Sequence, residues 1–180
     1  GDFTSFQNRS GIKPENRFRS LASPFNHHQQ AVLRVPRMAT DPKQADEHTE
    51  LIATMIPELV SGHLGSLILF SSWRQLFRVT DMLPPEFAEK VLSQGSLSKS
   101  EIIAQHKANV DSERNSVIFG LASFAEGIDL PGKYCSHVVI AKIPFAVPDD
   151  PVGATLSEWI EARGGNSIAE VMIPDATLRI

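Results

Sequence analysis

Short apolar runs alternate with longer segments of helical periodicity along most of this chain. The run Gly65–Ser72 is continuously apolar until its two final serines, which is typical of a strand buried on both faces. The runs Ser116–Gly120 and Ser136–Phe145 predict two more strands. A short strand is predicted within Glu89–Gly95, and the β-branched run Ala31–Pro36 predicts another.

Helical signals lie between these runs. Asp41 is a good N-cap for a helix that Gly62 ends, and Pro57 inside this pattern predicts a kink or an early end. Ser98 and Glu101 have the spacing of a capping box. Further helices are predicted over Trp73–Leu83, from Ser98 to about Val110, and from the cap Asp150 to Gly164.

Alternating strands and helices at short spacing predict an α/β fold with a mostly parallel sheet and helices on both faces. Residues 1–30 are polar, interrupted by Gly and Pro, and are predicted to form an irregular lead-in to a domain over residues 31–180. In open sheets of this class, ligands bind outside the carboxyl ends of the strands. The residues at those ends are therefore the candidates for function.

Composition narrows the chemistry. The net charge of −4 over 180 residues means that any nucleic-acid contact has to be a local patch. The single cysteine, Cys135, excludes an internal disulfide, and His27 and His28 lack a third metal ligand at useful spacing. No GxxxxGK[ST] motif is present, so this chain holds no complete ATPase site. The first residue, Gly1, favours a segment of a longer protein.

Ser71 and Ser72 stand where the buried strand turns into a helix. Free N–H groups at that helix start, together with the two hydroxyls, are suited to a phosphate, and plain helix capping by a serine is the commoner explanation. Arg74 and Arg78 follow four residues apart and either face a phosphate backbone or are simply solvated.

The second candidate is the connection from Gly120 to Tyr134, which shows no helical pattern. Loops of roughly 15 residues in compact domains are usually functional or disordered, and the apolar residues here argue against disorder. Glu126 and Asp129 flank Gly127, and a carboxylate at this edge can accept bonds from a ribose hydroxyl or pair with an arginine. A packed loop with solvated acids is the alternative.

Three segments carry a family resemblance. "GLASFAEGIDLPG" resembles helicase motif V of the XPD-like iron–sulfur branch of superfamily 2, and "GSLILFSSWRQL" resembles its motif IV. "IAKIPFAVPDDP" is similar to the strand segment that follows motif V in that branch. The order and spacing of these segments match that branch over most of the chain, from about Arg17 to Arg179. Within the branch, the chain resembles the bacterial DinG and YoaA types, and the YoaA type most.

The resemblance implies a RecA-like, three-layer αβα domain, the second motor domain of a DNA helicase, truncated before motif VI. Motif III would lie just before Gly1, and motif VI with its arginine finger would follow Ile180. ATP and Mg²⁺ would bind in the full-length protein, and a 4Fe–4S cluster would lie in its N-terminal part. This chain alone would then bind none of them and hydrolyse no ATP.

By the same resemblance, the full-length protein would move 5′ to 3′ on single-stranded or forked DNA during repair or replication in the bacterial cytoplasm, at the nucleoid. Its first RecA-like domain would be the partner across the cleft. The residues that match the DNA-contacting positions are Ser71, Ser72, Arg74 and Ser123. Those that match the nucleotide-cleft positions of motif V are Glu126, Gly127 and Asp129.

Two alternatives remain at this stage. An RNA helicase of the DEAD-box kind usually has an arginine where this chain has Glu126, which disfavours that class. A non-catalytic RecA-like module for binding nucleic acid or protein is the other alternative. Its dinucleotide-binding version needs a GxGxxG motif that this chain lacks.

Overall fold

The computed structural model describes residues 3, 6–7, 10–13, 15–145 and 151–179, and it divides into two compact units, Gly1–Met38 and Ala39–Ile180. The first unit contains the short helix α1 (His27–Gln30), and its described residues Phe6, Gln7 and Ser10 are also helical. Its Phe18 ring stacks on Phe3 with 5.1 Å between the ring centroids. Aromatic contacts thus hold together a segment that is otherwise mostly irregular.

The strand predicted over Ala31–Pro36 is wrong, because these residues adopt no regular structure. Val32, Leu33 and Val35 are 80–84% exposed. A strand needs a neighbour to satisfy its backbone groups, and no described strand pairs with this segment. The β-branched composition alone therefore does not produce a strand here.

The second unit is built around a four-stranded sheet in the order β2-β3-β1-β4 in which every pair is parallel. Its strands are β1 (Gly65–Leu69), β2 (Val91–Ser93), β3 (Ser116–Gly120) and β4 (His137–Ile140). Its α-helices are α2 (Ala45–Leu59), α3 (Trp73–Met82), α4 (Pro85–Ala88), α5 (Lys99–Asp111), α6 (Ala122–Ala125), α7 (Pro151–Glu161) and α8 (Ile173–Arg179). The predicted α/β class and parallel sheet are confirmed.

The strand order places helices on both faces of the sheet. The chain passes from β1 beyond β3 to β2 and then returns from β2 to β3, so these two connections run in opposite directions across the sheet. Because parallel crossovers are right-handed, α3 and α5 must lie on opposite faces. The connection from β3 to β4 runs in the same direction as that from β2 to β3, which places α6 on the face of α5.

The central strands β1 and β3 are buried because helices cover both faces of the sheet. All five residues of β3 are buried, as are four of the five in β1. On the α5 face, a core cluster joins Leu67, Ile102, Ile118 and Phe124. The alternate residues of the two strands, such as Phe119, are equally buried on the opposite face. Burial on both faces explains why these strands are continuous apolar runs.

Helix α5 is fixed to the sheet by a buried histidine. The predicted capping box is confirmed, since Ser98 Oγ accepts from the Glu101 amide and Glu101 accepts from the Ser98 amide. Two turns after this cap, His106 Nε2 donates to the Tyr134 carbonyl at 2.6 Å, and Ser116 Oγ lies 2.9 Å from His106 Nδ1. One side chain thus joins the helix, β3 and the turn that precedes β4.

The same turn explains why β1 begins with glycine. A Cβ at Gly65 would lie 2.2 Å from the Tyr134 carbonyl oxygen. At the end of α5, Tyr134 Oη donates to Asp111 at 2.9 Å, and Lys133 Nζ pairs with the same carboxylate at 2.8 Å. These two contacts hold the pKa of Asp111 below its usual value. The turn is therefore held on both sides, by β1 and by α5.

The connection predicted to lack helix contains two short helical turns, α6 and the 3₁₀ turn Gly132–Cys135. Phe124 is the cause of the first one, because its ring is 99% buried against the core. The turn folds back so tightly on β3 that a Cβ at Gly120 would lie 2.5 Å from Phe124 Cβ. A four-residue helix is too short to show a periodic pattern in the sequence.

Two predicted bounds also differ. Strand β4 ends at Ile140 rather than Phe145, because its neighbour β1 ends at the paired residue Leu69. Helix α2 begins at Ala45, since Asp41 Oδ1 accepts from the Lys43 amide and forms a turn ahead of the helix. The helix ends two residues after Pro57. The predicted cap Asp150 lies outside the described residues, as does all of 146–150.

The buried His106 predicts a loss of stability at mildly acidic pH. Burial lowers its pKa below the ordinary value of 6.5, so the folded state holds it neutral while the unfolded chain takes up a proton near pH 6.5. The contribution of neutral His106 to the free energy of unfolding is therefore fully present above about pH 6.5. It is lost as the pH drops from there through the lower, folded-state pKa. We expect the urea midpoint to decrease between about pH 7.5 and about pH 5.5.

The variant His106→Gln tests this assignment. It should lower the free energy of unfolding by about 1–3 kcal/mol at neutral pH, because buried partners are left unpaired. It should also flatten the pH dependence, although His48, whose pKa burial also lowers, keeps part of it. His28→Gln, at an exposed histidine, is the control and should behave as the unchanged chain. Equal slopes for both variants would contradict the assignment.

Candidate functional site at the carboxyl edge of the sheet

The two segments singled out by the sequence meet at one edge of the sheet. Strands β1 and β3 are hydrogen-bonded neighbours, with Leu69 opposite Gly120 at their carboxyl ends. The pairing extends one step further, because the Phe70 amide donates to the Gly120 carbonyl at 2.8 Å. The turn that begins at Ser71 therefore lies beside Gly120, the last residue before the loop formed by residues 121–130.

The two serines have different roles in the structure. Ser72 is the N-cap of α3, and its hydroxyl accepts from the Gln75 amide at 3.3 Å. Plain capping, one of the two interpretations open from the sequence, therefore accounts for this side chain. Ser71 is exposed, and its hydroxyl has no hydrogen-bond partner among the described residues. It is thus the hydroxyl available to a ligand at this strand end.

Arg74 and Arg78 are neither free nor simply solvated. Arg74 Nη2 and Arg78 Nη1 lie 3.1 and 2.7 Å from the same oxygen, Asp46 Oδ1 on α2. The side chains remain exposed, at 72% for Arg74 and 58% for Asp46. Two guanidinium groups on one carboxylate leave a net positive charge at this position. Both arginines retain N–H groups that can bind a second anion.

A shallow pocket adjoins this cluster. Ser71, Ser72, Arg74 and Arg78 line it together with Lys142, whose Nζ donates to the Pro42 carbonyl at 3.2 Å. The pocket is thus rimmed by three cationic side chains and two hydroxyls, opposed by one carboxylate. This composition favours an anionic ligand.

The floor of the pocket is a buried polar pair. His48 Nδ1 lies 3.3 Å from Gln75 Nε2, so the Gln75 amide donates to the ring and the ring proton resides on Nε2. Burial, and then the positive charge of Lys142, lower the pKa of His48. A neutral histidine adds no repulsion to the three cations at the rim.

The 121–130 loop is held by a lysine that the sequence did not single out. Lys99, the first residue of α5, donates from Nζ to the carbonyls of Ser123 and Glu126, the second at 3.2 Å. Its ammonium also lies 5.4 Å from the centre of the Phe124 ring. A Cβ built on Gly127 would lie 3.9 Å from the same nitrogen. One cation thus contacts two carbonyls and one aromatic ring of the loop.

The loop presents its polar side chains outwards. Phe124 is buried, and Ile128 and Leu130 pack against the same core cluster, which fixes the backbone between them. Gly127 has φ +68°, a left-handed conformation that glycine adopts without strain. Among the described residues, the carboxylates of Glu126 and Asp129 have no hydrogen-bond or ion-pair partner, and both residues are exposed.

The seven residues singled out by sequence therefore fall in two groups at neighbouring strand ends. Ser71, Ser72 and Arg74 follow β1, whereas Ser123, Glu126, Gly127 and Asp129 follow β3. Lys99 and Asp46 were missed. A signal for Lys99 was present, because a lysine in the first turn of a helix opposes the helix dipole and needs another partner. No local pattern identifies Asp46, whose arginines lie 28 and 32 positions away.

Comparisons with known proteins give a consistent result. The sequence model of the helicase C-terminal domain family matches residues 57–180. "ATP-dependent DNA helicase DinG" of Photobacterium profundum is 40% identical over 99% of this chain, and that of Escherichia coli (strain K12) is 34% identical over the same share. This chain spans 26% of the length of either relative. Neither comparison specifies the YoaA type, which stays a prediction.

None of the helices in the described residues is long and apolar enough to cross a bilayer.

Removing the Lys99 ammonium should loosen the loop without unfolding the domain. We expect Lys99→Met to accelerate amide hydrogen exchange over residues 121–127 about tenfold, which corresponds to about 1.4 kcal/mol and to the strength of hydrogen bonds from a charged donor. Lys107→Met is the matched control, because this lysine lies on the same helix but contacts the Tyr134 ring instead. The same exchange rates in both variants would show that Lys99 does not hold the loop.

Proposed function

Because this chain belongs to the family of helicase C-terminal domains, we propose that it is the second RecA-like motor domain of an ATP-dependent DNA helicase. The observation that carries the proposal is the adjacency of its two polar segments. The motif IV-like and motif V-like residues lie far apart in the sequence but leave neighbouring strands at one sheet edge. Relatives named as ATP-dependent DNA helicases support the same conclusion.

On the DNA side, we assign contacts with the phosphate backbone of a single strand to Ser71, Arg74 and Ser123, and to Ser72 through the hydroxyl proton that its capping bond leaves free. Support comes from the exposed hydroxyls of Ser71 and Ser123 and from the positive charge around Arg74. Hydroxyls and guanidinium groups bind phosphate oxygens without reading bases. Such contacts suit a motor, which must step along any sequence.

On the nucleotide side, Glu126, Gly127 and Asp129 face the cleft against the first RecA-like domain of the full-length protein. The free carboxylates of Glu126 and Asp129 are suited to accept from a ribose hydroxyl or to orient an arginine from a neighbouring segment. ATP and Mg²⁺ supply the phosphoryl group and its charge neutralisation when bound. In this chain the two carboxylates supply orientation only.

The chain offers no ligand set for an iron–sulfur cluster. Its one cysteine, Cys135, packs against the core beneath the 121–130 loop, and burial raises the pKa of its thiol. A half-buried, protonated thiol is a poor iron ligand. We propose that the cluster implied by the resemblance belongs to another part of the full-length protein.

One short loop joins the proposed DNA side to the proposed nucleotide side. Ser123 and Asp129 lie six positions apart on one loop, and Lys99 holds the backbone between them. Cleft closure that moves Asp129 therefore moves Ser123 on the DNA. We assign 5′ to 3′ movement on single-stranded or forked DNA in repair or replication, in the bacterial cytoplasm at the nucleoid, on family resemblance.

The nucleotide-side role predicts that Asp129→Ala in the full-length protein abolishes DNA-stimulated ATP hydrolysis while the fold is preserved. The exposed side chain has no described partner to lose, so the thermal midpoint should stay the same. Asp81→Ala, at an exposed carboxylate on α3, is the control and should retain turnover. Unchanged turnover in the Asp129 variant would leave the loop with a structural role only.

The DNA-side role predicts a change in the salt dependence of binding. Arg74→Ala should weaken single-stranded DNA binding several-fold and lower the slope of log K against log salt by about one phosphate contact. Arg114→Ala is the matched control. Arg114 precedes β3 and so lies at the amino ends of the strands, where it donates to Asn109. If both variants lose the same affinity, the contact is a general charge effect.

A further inference from the structure

Two exposed aromatic rings lie on α3 beside the proposed DNA contacts. Trp73 is 43% exposed and Phe77 is 52% exposed. Their rings are stacked, with 5.4 Å between the centroids and 22° between the planes. The pair presents more apolar surface than a single exposed residue and takes no part in the core.

The position of Trp73 directs its ring to the functional edge. It is the first residue of α3 and directly follows Ser72. Because side chains on a helix lean towards its N-terminus, the indole leans towards the carboxyl edge of the sheet.

The indole is held in place before any ligand arrives. A Cβ built on Gly95, in the turn after β2, would lie 3.2 Å from the six-membered ring of Trp73. Together with the stacked Phe77 ring, this close backbone approach restricts the rotamers of the indole. A fixed ring loses little conformational entropy on binding, which favours a stacking role.

The surroundings favour nucleic acid over an apolar protein surface. The next residue, Arg74, and its neighbour Arg78 carry the positive charge of this helix, and Ser71 supplies a free hydroxyl two residues before Trp73. A cationic strip next to an exposed aromatic ring is the combination by which proteins hold single strands without sequence preference.

We propose that the indole of Trp73, braced by Phe77, stacks on an unpaired base of single-stranded DNA whose phosphates contact Ser71 and Arg74. This inference rests on the proposed function and adds a base contact to its backbone contacts. Every base has a π face, so the contact holds the strand without reading its sequence.

The experiment uses the two tryptophans of this chain, Trp73 and Trp159. Trp159→Phe leaves Trp73 as the only indole and keeps a ring at position 159, over which Arg163 lies at 3.6 Å. This protein is titrated with oligothymidylate and with an abasic oligomer of equal length and charge. We expect saturable quenching of Trp73 fluorescence by the first and none by the second.

Affinity is measured in parallel by the anisotropy of labelled oligothymidylate, with Trp73→Leu in the otherwise unchanged chain. We expect a loss of about fivefold to a hundredfold, the usual range for removal of one base–aromatic stack. The salt slope should stay the same because no phosphate contact is removed. Trp159→Leu is the matched control and should bind as the unchanged chain.

The outcomes separate the two proposals. If the unchanged chain binds no oligomer at any concentration, the DNA contacts of the proposed function fail and the stacking fails with them. If it binds oligothymidylate and the abasic oligomer equally, and Trp73→Leu binds as tightly, only the stacking is overturned. The aromatic pair would then belong to an interface with protein.

Discussion

The candidate site depends on one helix, α5, which holds the crossover from β3 to β4 at both ends. Lys99 in its first turn contacts the carbonyls of Ser123 and Glu126, and His106, two turns later, contacts the Tyr134 carbonyl. Between these points the loop is held by its apolar side chains and by Lys133, which pairs with Asp111 at the end of α5. Because Lys99 and His106 bind backbone carbonyls of the loop, they fix the path of its backbone. The polar side chains of the loop therefore stay available to a ligand.

The parallel sheet brings the two polar segments of the candidate site close together. Neighbouring parallel strands end at the same edge, so residues about fifty positions apart in sequence come together with no contact of their own. The one-step extension of pairing at Phe70 and Gly120 fixes the register where the two segments separate. A strand end that carries hydroxyl and guanidinium groups and a loop that carries carboxylates can therefore be combined without any direct bond between them.

The sequence predicted those features that local chemistry determines. The buried strands, the capping box at Ser98 and the strand-end positions of Ser71 and Asp129 all follow from composition and periodicity. It failed where partners are distant: Ala31–Pro36 has strand composition but no neighbouring strand, and α6 exists because Phe124 is buried. Likewise, Asp46 pairs with Arg74 across 28 positions, which no local pattern encodes. The roles of the site residues came from resemblance rather than from periodicity.

The pairing of Asp46 with two arginines is compatible with DNA binding because it is exposed. Ion pairs in solvent contribute little to stability, so a phosphate can replace the carboxylate at small cost. Without a competing carboxylate, the cations around Ser71 would hold a strand tightly and slow its release, which is unfavourable for a motor that must step. For the proposed DNA contacts, a locally cationic edge on a chain of net charge −4 meets both needs, since the cations favour a phosphate at this edge and the paired carboxylate favours its release.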